Sequence, residues 1–153
     1  MADTGSPSDL ATRIRLLEAR GAIADLVHRY ALHIRARQPE ACDALFTPDG
    51  EFLIRDTDPG APTDFTTRAR SVGRDAIRAY VMGSTRAGFH VFPMIRNLLI
   101  DVDGDTATAT SLMSSRTWPA GAEVFGEYQD SFREEAGVWL FSKRIFTIYR
   151  RPG

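Results

Sequence analysis

Three histidines, His28, His33 and His90, are the side chains of this chain whose ordinary pKa lies near neutrality, so they are the natural candidates for taking a proton from a substrate. His33 follows Tyr30 at helical spacing, which puts both on one side of a helix, whereas His28 falls nearer the polar side. His90 opens "HVFPMIRNLLI", a run with the period of a strand. Further along, alternation places Tyr128, Asp130 and Phe132 on one face in "GEYQDSF", and Arg116 and Trp118 on one face with Leu112 in "TSLMSSRTW". Arg144, late in the last strand, shares a face with Leu140 and Phe146 by the same count. An arginine aimed into an apolar interior needs an acidic partner, and Asp130 is the obvious one, whether the pair holds the fold or grips a ligand. A proton-transfer site assembled from these residues would use His90 or His33 as base and Tyr30 or Tyr128 as an acidic hydroxyl. Arg144 or Arg35 would stabilise developing negative charge.

Other chemistries find little footing. The histidines are dispersed and the lone cysteine, Cys42, has no histidine partner by spacing, so no bound metal and no thiol nucleophile are expected. No glycine-rich loop follows a strand, which argues against a nucleotide cofactor, and no other cofactor is expected. One cysteine also excludes an intrachain disulfide. Lysine plus arginine number 19 against 20 acidic residues, with the arginines scattered and not aligned, so nucleic acid is not an expected partner. No apolar run approaches the roughly 20 residues of a membrane helix. "MADTGSPSDLATR" lacks the apolar core of a secretory signal, and a cytoplasmic location is the expectation.

The elements that must position these residues are legible as a change of period. With 153 residues, 43% of them apolar, the chain has the size and composition of one domain. Residues 1–8 read as a disordered tail and residues 9–153 as a single domain. From Leu16 to Ile34 apolar residues recur at helical spacing, with a break expected near Gly21. A short helix follows Pro39, "TPDG" signals a turn, and "EFLIRD" reads as a strand. "DTDPGAPTDFTTRARSVG" is rich in proline, glycine and aspartate and reads as a surface loop. "GRDAIRAYVMGS" predicts a third helix ending at Gly83. Thereafter four strands alternate around turns at "DGD" and "EAG". Helices followed by an antiparallel meander specify an α+β domain. In the last strand Trp139, Phe141 and Ile145 point one way and Leu140, Phe146 and Ile148 the other, so the outer sheet face is expected to bury itself in a homodimer or higher homo-oligomer.

In order and spacing, "ARGAIADLVHRYA", "ALFTPDGEF", "RNLLIDVDGDTATA" and "GEYQDSFREEAGVWLFSKR" together resemble the SnoaL-like branch of the nuclear transport factor 2-like (NTF2-like) superfamily. The resemblance covers nearly the whole chain after the tail. It implies a cone-shaped, strongly curved mixed or antiparallel sheet wrapped around N-terminal helices, with an apolar pocket between them and usually a dimer. Relatives include scytalone dehydratase, a dehydrochlorinase of chlorinated cyclohexanes, polyketide cyclases and ketosteroid isomerases, although a fold does not establish a reaction. The resemblance also implies a histidine base oriented by an aspartate. Counting from Tyr30 puts the aspartate's position at Arg35, and counting back from the strand asparagine, Asn97, puts the histidine's at Pro93. His90 has the opposite strand parity, so it faces the pocket only if a bulge at Pro93 turns it.

Two functions remain. One is a cofactor-independent lyase or isomerase, of dehydratase or cyclase type, acting on a small hydrophobic or aromatic molecule by proton transfer. The other is a noncatalytic small-molecule-binding or accessory domain that has lost the dyad. The expected ligand-binding residues are Tyr30, Arg35, Asn97, Arg116, Trp118, Tyr128, Asp130 and Arg144.

Overall fold

The computed structural model describes residues 7–86 and 90–150. The loose tail expected at residues 1–8 lies outside the described residues except for Pro7 and Ser8, which begin the first helix. That helix, α1 (Pro7–Ala36), runs without a break through Gly21 and is followed by α2 (Pro39–Asp43). The remaining elements are β1 (Phe46–Asp58), β2 (Ala61–Val72), α3 (Arg74–Arg86), β3 (His90–Asp103), β4 (Thr106–Trp118), β5 (Glu123–Glu135) and β6 (Val138–Tyr149).

The strands form one mixed sheet in the order β2-β1-β6-β5-β4-β3, in which β1 and β6 run parallel and every other neighbour is antiparallel. The sheet is open, with β2 and β3 at its edges. Its inner face wraps α1, which touches both β3 and β6, while α3 covers β1 and β2. The buried faces meet in one core: Ile23, Leu26, Val27 and Tyr30 from α1, and Ile77 and Val81 from α3, against Phe46, Phe52, Phe132 and Phe141 of the sheet. Two side-chain ties fix the helices. Arg20 Nη1 donates to the Ile100 carbonyl at 2.8 Å, and Arg78 Nη2 reaches the buried Asp43 at 2.6 Å.

Three departures from the expected elements matter for the site. The segment read as a surface loop is a hairpin. Asp58 Oδ1 accepts the Gly60 N–H at 2.8 Å to shape the turn, and the β-branched and aromatic residues that follow it form β2. Helix α3 also continues past Gly83 to Arg86.

The third departure is in sheet parity, which two bulges reset. In β3, Arg96 pairs with Leu112 and Leu99 with Thr110, so Asn97 and Leu98 share one place in the ladder. Asn97 adopts φ 52°, the left-handed conformation an asparagine tolerates. In β6, Lys143 pairs with Ser131 and Phe141 with Phe132, leaving Ser142 as the extra residue. The alternation expected for the last strand therefore holds only as far as this bulge. Beyond it Arg144 and Phe146 turn to the same side as Trp139 and Phe141, and Ile145 turns outward. The outward apolar surface lies instead on β3, β4 and β5.

Candidate functional site

Arg144 has no solvent exposure, and Asp130 beside it is 3% exposed. The bulge at Ser142 carries the arginine into the core, and the unbroken alternation of β5 carries the carboxylate, because Asp130 and Arg144 are direct ladder partners. Nε and Oδ1 approach to 3.2 Å. The contact lies off hydrogen-bond alignment. No guanidinium nitrogen and neither carboxylate oxygen has a hydrogen-bond partner among the described residues.

What surrounds the guanidinium is aromatic. Its carbon lies 3.6 Å from the ring centre of Tyr128, 4.3 Å from Tyr30 and 4.6 Å from Phe141. Each ring turns its electron-rich face to a desolvated cation, an interaction worth about 0.5–2 kcal/mol per ring. The cage is itself braced. Tyr128 stacks on Phe146 at 4.8 Å, and Tyr30 packs edge-on against Phe46, Phe52 and Phe141 at 6.0–6.2 Å.

Burial sets the acid–base character. Loss of hydration pushes the Asp130 carboxyl up to about 6, against the opposing pull of Arg144. The same loss pushes Tyr128 up to about 12 and Tyr30 well above its ordinary value. Both phenols therefore stay neutral and are weaker acids than in water.

The imidazoles are elsewhere. α1 ends in a paired-carbonyl cap: the Gln38 N–H donates to the His33 carbonyl and the Arg37 N–H to that of Ile34, with Arg37 at φ 56°. His33 Nδ1 lies 2.9 Å from Gln38 Oε1, beside this cap and not in the interior. His90 Nε2 lies 2.6 Å from the Arg35 carbonyl, one of the last acceptors of the helix, and its ring leans on Phe92 at 4.7 Å. His90 is therefore an extra cap for α1 and points away from the ion pair. His28 contacts the Ala24 carbonyl of its own helix.

The remaining expected site residues fall on the surface. Arg35 and Asn97 are exposed, Asn97 serving as the bulge residue. Arg116 pairs with Glu123 at 3.1 Å, and Trp118 is 68% exposed; both stand on the outer face because Met113 and Ser115 take the inner one. Of the expected set, the structure brings together Tyr30, Tyr128, Asp130 and Arg144. Phe141 completes the cage and was missed, because alternation without the bulge set it on the opposite face from Arg144.

A cleft of about 720 Å³ opens at the other end of α1, between Leu16, Ala19 and Ala22 and the turns that carry Gly104 and Gly137, with Trp139 among its walls. It does not include the ion pair. The buried charged side chains are Asp43, Asp130 and Arg144, and Asp43 is satisfied by Arg78. Asp56 Oδ1 aside, the buried charged atoms without a hydrogen bond among the described residues belong to Arg144 and Asp130.

Among the described residues no cluster of three or more metal-ligating side chains occurs, and no helix is long and apolar enough to cross a membrane. Residues 15–145 match the family model of the SnoaL-like domain. An NTF2-like protein with a cystatin-like fold from Novosphingobium aromaticivorans superposes with a TM-score of 0.78 at 27% identity, over 95% of this chain and 91% of that one. From the same organism, a protein provisionally named a scytalone dehydratase gives 0.71 at 24% identity, over 91% and 89%. The β subunit of a provisionally assigned aromatic-ring-hydroxylating dioxygenase gives 0.73 at 19% identity, over 90% and 93%. These last two likenesses establish the fold alone. No functionally curated protein shows significant sequence similarity to the chain.

Removing either member of the pair should have unequal effects. Arg144→Met leaves a carboxyl that can take up a proton, whereas Asp130→Ala leaves a cation that cannot lose one. Denaturant unfolding should show a larger loss for Asp130→Ala than for Arg144→Met. Equal and negligible losses would contradict the buried pair.

Proposed function

We propose, for a chain that belongs to the SnoaL-like domain family, that it holds a small hydrophobic or aromatic molecule inside the cone as a noncatalytic binding or accessory protein. The observation that carries this reading is where the imidazoles go. His33 and His90 are engaged at the C-terminal end of α1 and His28 on its own helix, so none stands beside the buried pair. Arg35 and Pro93 occupy the positions at which the family resemblance implies the dyad, and neither can supply a carboxyl or an imidazole. The interior carries Ile54, Met113, Tyr128 and Phe146, apolar residues buried at 3–8% exposure and of the composition that lines small-molecule sites. The expected cytoplasmic location belongs to this reading.

One observation favours a second reading, a cofactor-independent lyase or isomerase of dehydratase or cyclase type. A carboxyl pushed up to about 6, next to a neutral phenol, is tuned for proton transfer near neutral pH. Asp130 would act as the base there, and a ligand would have to open the cage to reach it.

We also propose that two copies pair through the outer sheet face. Phe92, Met94 and Leu99 on the edge strand β3, with Trp118 and Phe125 beside them, are 40–68% exposed and share that face. Five large apolar side chains together exceed the scatter normal for a monomer's surface.

Titration with 2-naphthol, a neutral bicyclic aromatic, should quench the protein's fluorescence saturably with one site per chain. Absence of saturation up to millimolar concentration would contradict the binding reading. Light scattering at micromolar concentration should give twice the 17.0 kDa chain mass, and the mass of a single chain would contradict the pairing.

A further inference from the structure

On the inner side of the sheet, two strands and one bulge end in charge. Phe52 and Ile54 of β1 are buried inward, and the next residue on that side is Asp56. Phe146 is inward on β6, and continuing past Ile148 brings Arg150 to the same side. Arg68 is the extra residue where the β1–β2 register shifts, since Ile54 pairs with Ala69 and Arg55 with Thr67. Its guanidinium reaches the same carboxylate.

Asp56 therefore faces two arginines, with Arg68 Nε 3.4 Å from Oδ2 and Arg150 Nε 3.2 Å from Oδ1. Both arginine side chains are about half exposed, at 42% and 50%, while the carboxylate is 26% exposed. Two permanent cations on one anion leave this cluster with one positive charge in excess. Neither guanidinium donates an aligned hydrogen bond to another described residue, so their terminal N–H groups remain available. The nearby Asp58 is committed to the hairpin turn through Gly60.

Beside this cluster Tyr80 is 37% exposed, while Phe52, Ile54 and Phe146 are buried. Tyr80 of α3 packs on Phe52 at 5.7 Å, and the charge of Arg68 acts on its hydroxyl, lowering a pKa that burial raises. A flat ring lying on Tyr80 would hold a substituent at the two guanidinia. Arg144 already has Asp130 and its aromatic cage, so the excess charge stands at the Asp56 cluster and not at the buried pair.

We propose that Arg68 and Arg150 form a clamp for an anionic group, and that the ligand is a small aromatic carboxylate whose ring lies inward and whose carboxylate stays at the two guanidinia. Carboxylate oxygens suit guanidinium donors, and such a charge-assisted contact is stronger than one to a neutral hydroxyl. The inference rests on the small-molecule reading above, and it names which end of the ligand faces water.

The test compares 2-naphthoate with 2-naphthol on the full chain by isothermal titration calorimetry. The carboxylate should bind about tenfold or more tightly, with a preference that weakens at high salt. The variant carrying both Arg68→Gln and Arg150→Gln should lose that preference while binding 2-naphthol as the parent does, and circular dichroism should show an unchanged fold. If 2-naphthol binds but 2-naphthoate binds no better, or the preference survives the double substitution, the clamp is overturned and the pocket stands. If neither compound binds, the pocket reading fails and the clamp falls with it. Should the double variant unfold, Arg68→Lys and Arg150→Lys singly should keep a reduced preference, and an undiminished one in both overturns the clamp.

Discussion

A permanent positive charge placed where solvent does not reach constrains the interior of this domain more than any other single feature. A guanidinium cannot discharge by losing its proton, so the fold has to replace its hydration. Three elements do so together. β5 supplies the carboxylate of Asp130 and the ring of Tyr128, α1 supplies Tyr30, and β6 supplies Phe141 from its own strand. The absence of aligned hydrogen bonds around the pair marks the compromise, because ring faces and one opposed charge do the work that water does outside.

The same desolvation decides what the interior can do. It raises the phenols away from acidity and lifts the carboxyl above its ordinary range, so weak acids and apolar rings surround the buried cation while the charged groups around Asp56 meet solvent. Such a contrast suits orienting an amphipathic aromatic molecule. Arg35 offers its carbonyl to His90, which joins the end of α1 to the edge strand, and that junction holds β3 in place over the core.

Much of this architecture could be read in the residues themselves. β3 to β6 were legible because "DGD" and "EAG" mark their turns and the alternation between them is regular. The Asp130–Arg144 partnership was legible for a related reason: β5 keeps its parity unbroken, so Tyr128, Asp130 and Phe132 face inward together. The bulges at Asn97 and Ser142 were not, since one inserted residue leaves no compositional mark yet turns every later side chain to the other face. Simple alternation therefore puts Phe141 on the opposite face from Arg144, where the bulge brings them to the same one. β2 was hidden by prolines, glycine and aspartates that serve the turn preceding it. The role of His90 was hidden because its partner is a backbone carbonyl 55 residues away, which no side-chain pattern reports.

Carbon-13 NMR of the Asp130 carboxyl, assigned by its disappearance in Asp130→Asn, tests the buried pair most directly. The folded protein should hold this proton to about pH 6, where the unfolded chain releases it near its ordinary value of about 4. Because the folded pKa is the higher one, the contribution of Asp130 to stability is fully present below about pH 4 and is withdrawn as pH rises through about 6. A midpoint near 6, accompanied by that fall in stability, is the result expected of a carboxylate stripped of water inside an aromatic cage. A midpoint at or below 4 would mean that the pull of Arg144, solvent or hydrogen bonds outweighs the loss of hydration, and would contradict the account.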